Sequence, residues 1–223
     1  MTRKNVREQA AHKYEQVKDL YECHDHRHAV AILTQDYPDL FAEVCDVLLA
    51  FRLTQDQVKQ HGGNESEIPK TFSAMLRPLG WVEQKLTAKW VVGDKVVSSD
   101  THMIDYVKGD IALDLEWNSK DQTFDRDLYA FRAFFDCHKI CVGLLVTRSD
   151  DLDSLFSDLG AYIDRYGTAR KYKNKYGAST THMGKLLPRL EAGRGGGCPV
   201  LAIGITRKQV EELNEQGSQN APE

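Results

Sequence analysis

From Ile111 to Trp117 apolar and polar positions alternate without a break. Ile111, Leu113, Leu115 and Trp117 fall on one face, with Ala112, Asp114 and Glu116 on the other. That period is the period of a β-strand with one face in a core. Lys108-Gly109 lies just upstream and can turn the chain. The pattern therefore predicts a hairpin that sets Asp105 beside Asp114, nine residues further on.

Elsewhere the spacing is helical. In the highly charged residues 4–21, the positions Val6, Ala10, Tyr14, Val17 and Tyr21 predict an amphipathic helix. Pro38-Asp39 opens another, with Leu40, Phe41, Val44, Val47, Leu48 and Phe51 as its apolar stripe. Residues 61–67 read as a loop, and Pro69 suits the first turn of a helix carrying Phe72, Met75, Leu76 and Leu79. Trp90-Val91-Val92 and Lys95-Val96-Val97 around Gly93-Asp94 predict a tight hairpin in the same growing sheet.

Residues 118–122 break the alternation. Leu128, Phe131, Phe134 and Phe135 then predict a helix, and residues 139–147 a short strand buried on both faces. Strand, helix and strand make a βαβ unit with a parallel pair. Leu152, Leu155, Leu159 and Ile163 mark a further helix, residues 183–192 a short helix broken around Pro188, and residues 200–205 a last strand. The expected fold class is α/β, a mixed sheet flanked by helices. One domain over residues 1–223 is expected, with an N-terminal helical segment over 1–30 and a frayed polar tail over 214–223.

Composition narrows this picture only a little. No apolar run is long enough to span a membrane, and the charged N-terminus does not read as a signal peptide. Five cysteines without framework spacing point to a reducing cytoplasm. A net charge of −4 suits a nucleic-acid binder poorly, but a local basic surface is enough for phosphate contacts. Residues 165–176 supply one, with Arg165, Arg170, Lys171, Lys173 and Lys175 interleaved with tyrosines that can hydrogen-bond or stack.

Three acids near one strand, Asp105, Asp114 and Glu116, carry the candidate chemistry. Like charges this close need solvent, protons or a cation, and an all-oxygen set suits a hard ion such as Mg²⁺. The bland reading is a half-exposed strand with solvated acids. Cys23-His24-Asp25-His26-Arg27-His28 invites a zinc reading, but no second ligand pair follows, and a polar turn is the better reading. Cys141 falls inside an apolar strand and reads as a packed thiol. The glycines at 193–197 lack the following helix and Lys-Ser/Thr ending of a phosphate loop.

An acid, then nine residues on acid-x-(Glu/Gln/Lys), on an apolar strand resembles the PD-(D/E)xK nuclease core. The stretch from Asp105 to Trp117 more closely resembles type II restriction endonucleases of the BglII/BstYI group. The likeness extends to residues 72–81, the helix and strand after Trp117, and the C-terminal run from Gly193 to Ile205. It implies a restriction-endonuclease-like core and a homodimer on double-stranded DNA. It also implies Mg²⁺, with Mn²⁺ as a substitute, and a cognate DNA methyltransferase. Asp105 and Asp114 become the metal-binding carboxylates and the Leu115 carbonyl a further ligand. Glu116 stands where Gln or Lys is usual, resembling the BamHI arrangement, and Asp114 replaces the group's Glu. Asn118, Ser119 and Lys120 match the loop that enters the major groove, while Ser179, Thr180, Thr181 and Arg194 are further base or phosphate contacts. The group cuts GATC-centred sites, so RGATCY is the expected form of site, with 5′-phosphate ends. The alternatives are a repair or structure-directed nuclease on the same core, and an inactive relative that only holds DNA.

Overall fold

A computed structural model describes residues 2–60, 66–87, 89–98, 102–164 and 166–211. Most of the expected 61–67 loop, Arg165 and the 214–223 tail lie outside the described residues. The chain runs α1 (Arg3–Leu20), β1 (Tyr21–His26), α2 (Ala29–Gln35), α3 (Pro38–Ala50), β2 (Leu53–Thr54), α4 (Gln55–Lys59) and α5 (Glu67–Leu76). Next come β3 (Val82–Leu86), β4 (Lys89–Val92), β5 (Lys95–Ser98), β6 (His102–Lys108), β7 (Ile111–Leu115), α6 (Thr123–Asp136) and β8 (Val142–Arg148). It continues through α7 (Leu152–Asp158), β9 (Ala161–Ile163), β10 (Ala169–Lys171), α8 (Tyr172–Lys175), α9 (Met183–Glu191), β11 (Val200–Ile205) and β12 (Val210–Glu211).

The central sheet has six strands in the order β1-β11-β8-β7-β6-β3. Strands β11, β8 and β7 are parallel, and β1, β6 and β3 run antiparallel to their neighbours. The expected mixed α/β sheet with flanking helices is therefore present. The βαβ unit is β7-α6-β8, whose helix crosses over because parallel neighbours cannot be joined by a tight turn.

Each face of the sheet carries its own apolar layer. Ile111, Leu113, Leu115, Leu144 and Val146 pack beneath α1, α3, α5 and α7, with Phe41, Phe72 and Phe156 among the contributors. Ala112, Leu145, Val200 and Ala202 pack against Phe124, Leu128, Phe131 and Phe134 of α6 and Met183, Leu186 and Leu190 of α9. Gly143 lets α6 approach this closely, because a Cβ there would sit 2.5 Å from Phe131 Cδ2.

Five expectations are corrected. All of β7 is buried, so its acid-bearing face is covered as well, and the half-exposed strand is excluded. The Val-rich hairpin forms, but β4 and β5 make a separate two-stranded sheet, and β3 takes the edge beside β6. Of residues 23–28, read as a polar turn, Arg27 and His28 do turn, but 23–26 belong to β1, where alternate side chains meet the core through Tyr21 and Cys23 while pairing fills the edge of β11. The helix from Leu152 ends at Asp158, and Ile163 is exposed in β9. Helix α9 passes through Pro188 without breaking, the missing donor costing one bond near its end.

No helix among the described residues is long and apolar enough to cross a membrane. All five cysteines are free thiols. Cys23 is held by burial in the core of β1, which pushes its pKa up to about 12.

Candidate active site

Strands β6 and β7 form the predicted hairpin, with Gly109 at φ 56 supplying the left-handed turn position. Lys108 anchors its tip by donating to both carboxylate oxygens of Glu43 on α3, at 2.8 and 2.6 Å. The register pairs Tyr106 with Leu113, so the next step along the ladder brings Asp105 opposite Asp114. The Asp105 N–H donates to Asp114 Oδ1 at 2.8 Å, while Asp114 Oδ2 is buried without a hydrogen-bond partner. Glu116 lies just past the end of β7, its N–H bonded to Val146 of β8 at 2.9 Å. These acids thus sit at the carboxyl end of a parallel strand, where the neighbouring loops leave room for a ligand.

A cleft of about 480 Å³ opens there, lined by Asp105, Leu115, Glu116, Asn118 and Ser119 on one side and by Ser73, Arg77 and Lys175 among others. Lys175 donates to the carbonyls of Val58 and Gln60, the former at 2.9 Å, and burial lowers its pKa to about 8. Glu83 of β3 also reaches the cleft, adding a fourth carboxylate near Asp105.

Burial dominates the electrostatics. It pushes Asp114 up to about 8, the Asp105 N–H pulling it back and the charges of Asp105 and Glu116 adding to the rise. Desolvation also raises Asp105 and Glu116, the latter opposed by bonds with Ser119 and Asp127 and by the charge of Arg126.

Two residues of this cluster were not read from the sequence. Asp127, buried in α6, is driven up to about 9 by desolvation and then by the charges of Glu116 and Asp114, and its Oδ2 has no partner. Arg126 bridges the two acids, donating to Asp127 Oδ1 at 3.0 Å and to Glu116 Oε1 at 3.3 Å. A signal existed: Asp127 lies on the stripe formed by Phe124, Leu128 and Phe131, where a charge needs a reason.

The donor set is all oxygen, holds excess negative charge and keeps one buried carboxylate oxygen unspent, which is the chemistry a hard divalent cation satisfies. Among the described residues, no three His, Cys, Asp or Glu side chains are gathered closely enough to form a metal cage. The same holds for the Cys23–His28 region as for the acids, and Glu116 is engaged by Arg126.

The residues expected at DNA divide into several groups. Asn118 and Ser119 line the cleft, and Lys120 is exposed beside them, bridging to Thr180. Asn118 adopts φ 57, a left-handed backbone uncommon outside glycine, and its Oδ1 is buried without a partner. Ser179 is exposed and Thr180 half-buried, but Thr181 is fully buried and bonded to the 116–119 backbone. Lys171 and Lys173 are exposed, and Arg170 is exposed but pairs with Asp164 at 3.0 Å. Arg194 pairs with Asp125 at the start of α6. Of the tyrosines in this stretch, read as able to hydrogen-bond or stack, Tyr172 and Tyr176 are buried in the protein. Tyr176 stacks on Phe156 at 4.0 Å and donates to the Val58 carbonyl.

A mixed sheet flanked by helices, with acids on a central hairpin at the open end of parallel strands, defines the restriction-endonuclease-like nucleases. A family profile described as restriction endonuclease BglII/BglIII matches residues 21–205, and the chain belongs to that family. It is accordingly a type II site-specific deoxyribonuclease whose substrate is DNA. No curated protein matches the chain.

Proposed function

We propose that the chain cuts both strands of a short palindromic DNA site in a Mg²⁺-dependent hydrolysis, leaving 5′-phosphate ends, and that it does so as a homodimer. The observation that carries this reading is the opposition of Asp105 and Asp114 across the hairpin, with a buried, unspent Asp114 oxygen behind a cleft that Asp105 and Glu116 line. Asp105, Asp114 and the Leu115 carbonyl are the residues that would hold the ion, with Glu116 as a further ligand. A bound Mg²⁺ supplies charge stabilisation at the phosphate and lowers the pKa of water. Glu116 orients the attacking water by accepting a hydrogen bond from its O–H, a role that a charged lysine at this position cannot take.

Asn118, Ser119 and Lys120 face bases in this reading, with Ser179 and Thr180 beside them. Asn pairs bidentately with adenine, and Lys donates to guanine O6 and N7. Lys171 and Lys173 supply sequence-independent phosphate attraction. Two identical sites related by the two-fold axis of a palindrome account for cutting both strands. A GATC-centred hexanucleotide such as RGATCY is the site proposed, and protecting the host's own copies calls for a DNA methyltransferase in the same system. The test is digestion of a sequenced plasmid with Mg²⁺, followed by mapping of every new end. Discrete ends in a palindrome, abolished by chelation, are expected. Ends scattered without a common sequence would point to a repair-type nuclease, and binding without cleavage to an inactive relative.

A further inference from the structure

Behind the segment assigned to base reading lies a set of buried hydrogen bonds that takes no part in the reaction itself. Thr181 is at its centre and is fully buried. Its hydroxyl accepts from the Ser119 N–H at 3.2 Å and donates to the Glu116 carbonyl at 3.3 Å. Its own N–H donates to the Ser119 carbonyl at 2.8 Å. Thr147 of β8 donates to the same Glu116 carbonyl at 2.9 Å, so this oxygen is held from two directions.

The clamp continues on either side. The Asp121 N–H donates to the Ser179 carbonyl at 3.1 Å, and Lys120 bridges to Thr180. From the end of β8, Arg148, also buried, donates to Thr180 Oγ1 and the Tyr176 carbonyl, both at 2.9 Å. Residues 118–121 and 176–181 therefore form one stitched unit, tied at Glu116 to the end of the catalytic strand.

Asn118 sits half-buried at the end of this unit, in a left-handed backbone conformation that asparagine adopts more readily than most residues. Its buried Oδ1 lacks a partner among the described residues, as suits an acceptor that meets its donor only on the right site. Only Trp117 separates Asn118 from Glu116, and the bonds of Thr181 to Glu116 and Ser119 span that interval.

Resting on the proposed reading of residues 118–120, we propose that Thr181 is a positioning residue for sequence discrimination, its hydroxyl locking the base-reading segment to the strand that carries Asp114 and Glu116. A wrong base leaves Asn118 unpaired, and the rigid clamp transmits that misfit to Glu116 instead of absorbing it. Catalytic groups tolerate only about 0.5 Å of displacement, so misfit at the loop becomes lost rate. Without the hydroxyl the loop accommodates wrong bases and holds the right ones less well.

The experiment compares wild type, Thr181→Val and Thr181→Ser by end mapping on the same plasmid. Melting curves and hydrogen exchange of the 117–122 amides are measured alongside. Valine keeps the shape and removes the hydroxyl. It is expected to lower the ratio of preferred-site to one-mismatch cleavage by about tenfold, the worth of one hydrogen bond. Amide exchange at 117–122 should rise, the preferred-site loss should fall on kcat more than on KM, and serine should restore all three. Thr180→Val, which removes the Arg148 bond from the other side, should shift the ratio the same way and serves if Thr181→Val does not fold. Variants that melt lower but keep the wild-type ratio would overturn the proposal and leave Thr181 a packing residue. Scattered ends from wild type itself would instead remove the reading on which it rests.

Discussion

Replacing Asp114 with asparagine should make the metal-free protein more stable at pH 8 while removing its activity. The side chain is 4 % exposed, and burial is the main cause that pushes its carboxyl up to about 8. In the unfolded chain the same acid returns to about 3.8. The folded state thus binds the proton more tightly than the unfolded state does, and stability falls as pH rises between those two values. Below about 3.8 the acid is protonated in both states and its contribution is fully present, whereas above about 8 it is wholly lost. At 1.36 kcal/mol per tenfold change in proton affinity, the interval corresponds to a ceiling of about 6 kcal/mol. Relaxation and water entry around the carboxylate reduce this to the order of a few kcal/mol.

Asparagine keeps the shape and the acceptor for the Asp105 N–H but never charges. Urea denaturation of chelated protein at constant ionic strength, from pH 5 to pH 8, measures the effect. Wild type should lose stability over that range with a slope approaching 1.36 kcal/mol per pH unit for the proton concerned. Asp114→Asn should flatten the slope by that proton and cross above wild type before pH 8. Cleavage by the variant should fall by orders of magnitude, since the residue proposed to hold the ion can no longer carry its charge. Mg²⁺ should raise wild-type stability at pH 8 by mass action and leave the variant almost unmoved. Parallel pH slopes for the two proteins would refute the account of a buried, proton-hungry acid, and wild-type cleavage by Asp114→Asn would move the site elsewhere.

Three further outcomes are expected. Glu116→Ala should reduce single-turnover cleavage about 100-fold or more, and Glu116→Lys should not restore it, because the new cation faces Arg126 and repels a metal ion; a fully active lysine variant would refute this. Gly143→Ala should cost about 1–3 kcal/mol in urea midpoint analysis by forcing Phe131 away from β8, and an unchanged midpoint would show that α6 yields freely. Lys171→Gln and Lys173→Gln should weaken binding to cognate and random DNA alike and reduce the log–log salt slope by about 0.9 for each phosphate no longer neutralised, whereas weakening confined to the cognate site would make them base readers.

The hairpin was legible because two local signals agree: Gly109 turns the chain, and the alternation after it fixes which residue faces which. The helices α1, α3 and α6 were legible for a similar reason, their stripes being set by period alone. What stayed hidden depends on long-range pairing. The run Cys23-His24-Asp25-His26 looks like a turn, and it is a strand because β11 offers an unpaired edge across nearly the whole chain. The separation of β4–β5 from the main sheet likewise depends on which strand β6 chooses as its neighbour. In the site, the spacing of Asp105, Asp114 and Glu116 was readable, but not the partners that α6 brings in after a crossover. The basic stretch misled in one respect, since periodicity cannot show that Tyr172, Tyr176 and part of Lys175 turn inward while Lys171 and Lys173 stay exposed.

The two-sided burial of β7 sets how strongly these acids would hold a proton or a cation. On a half-exposed strand, water would screen Asp114 and Glu116, and neither would hold a proton or a cation with much force. Covering the acid-bearing face with α6 removes that water and raises the whole cluster, Asp127 included. Arg126 offsets part of the repulsion, reaching Glu116 and Asp127 from a largely exposed position while no partner occupies Asp114 Oδ2. In the proposed reading a cation beside Asp105 and Asp114 would also feel the charge of the neighbouring carboxylates, in surroundings that magnify each interaction. The same arrangement makes the chain least stable where the ion is absent and the pH is high. If these acids are the catalytic ones, as proposed, stability and function are in direct opposition at one strand end, as expected where a site is built from unscreened charge. If that is so, the apo-protein stability gained by Asp114→Asn and the Mg²⁺-induced stabilisation removed by it are two measurements of one electrostatic deficit, and they should rise and fall together as pH is varied.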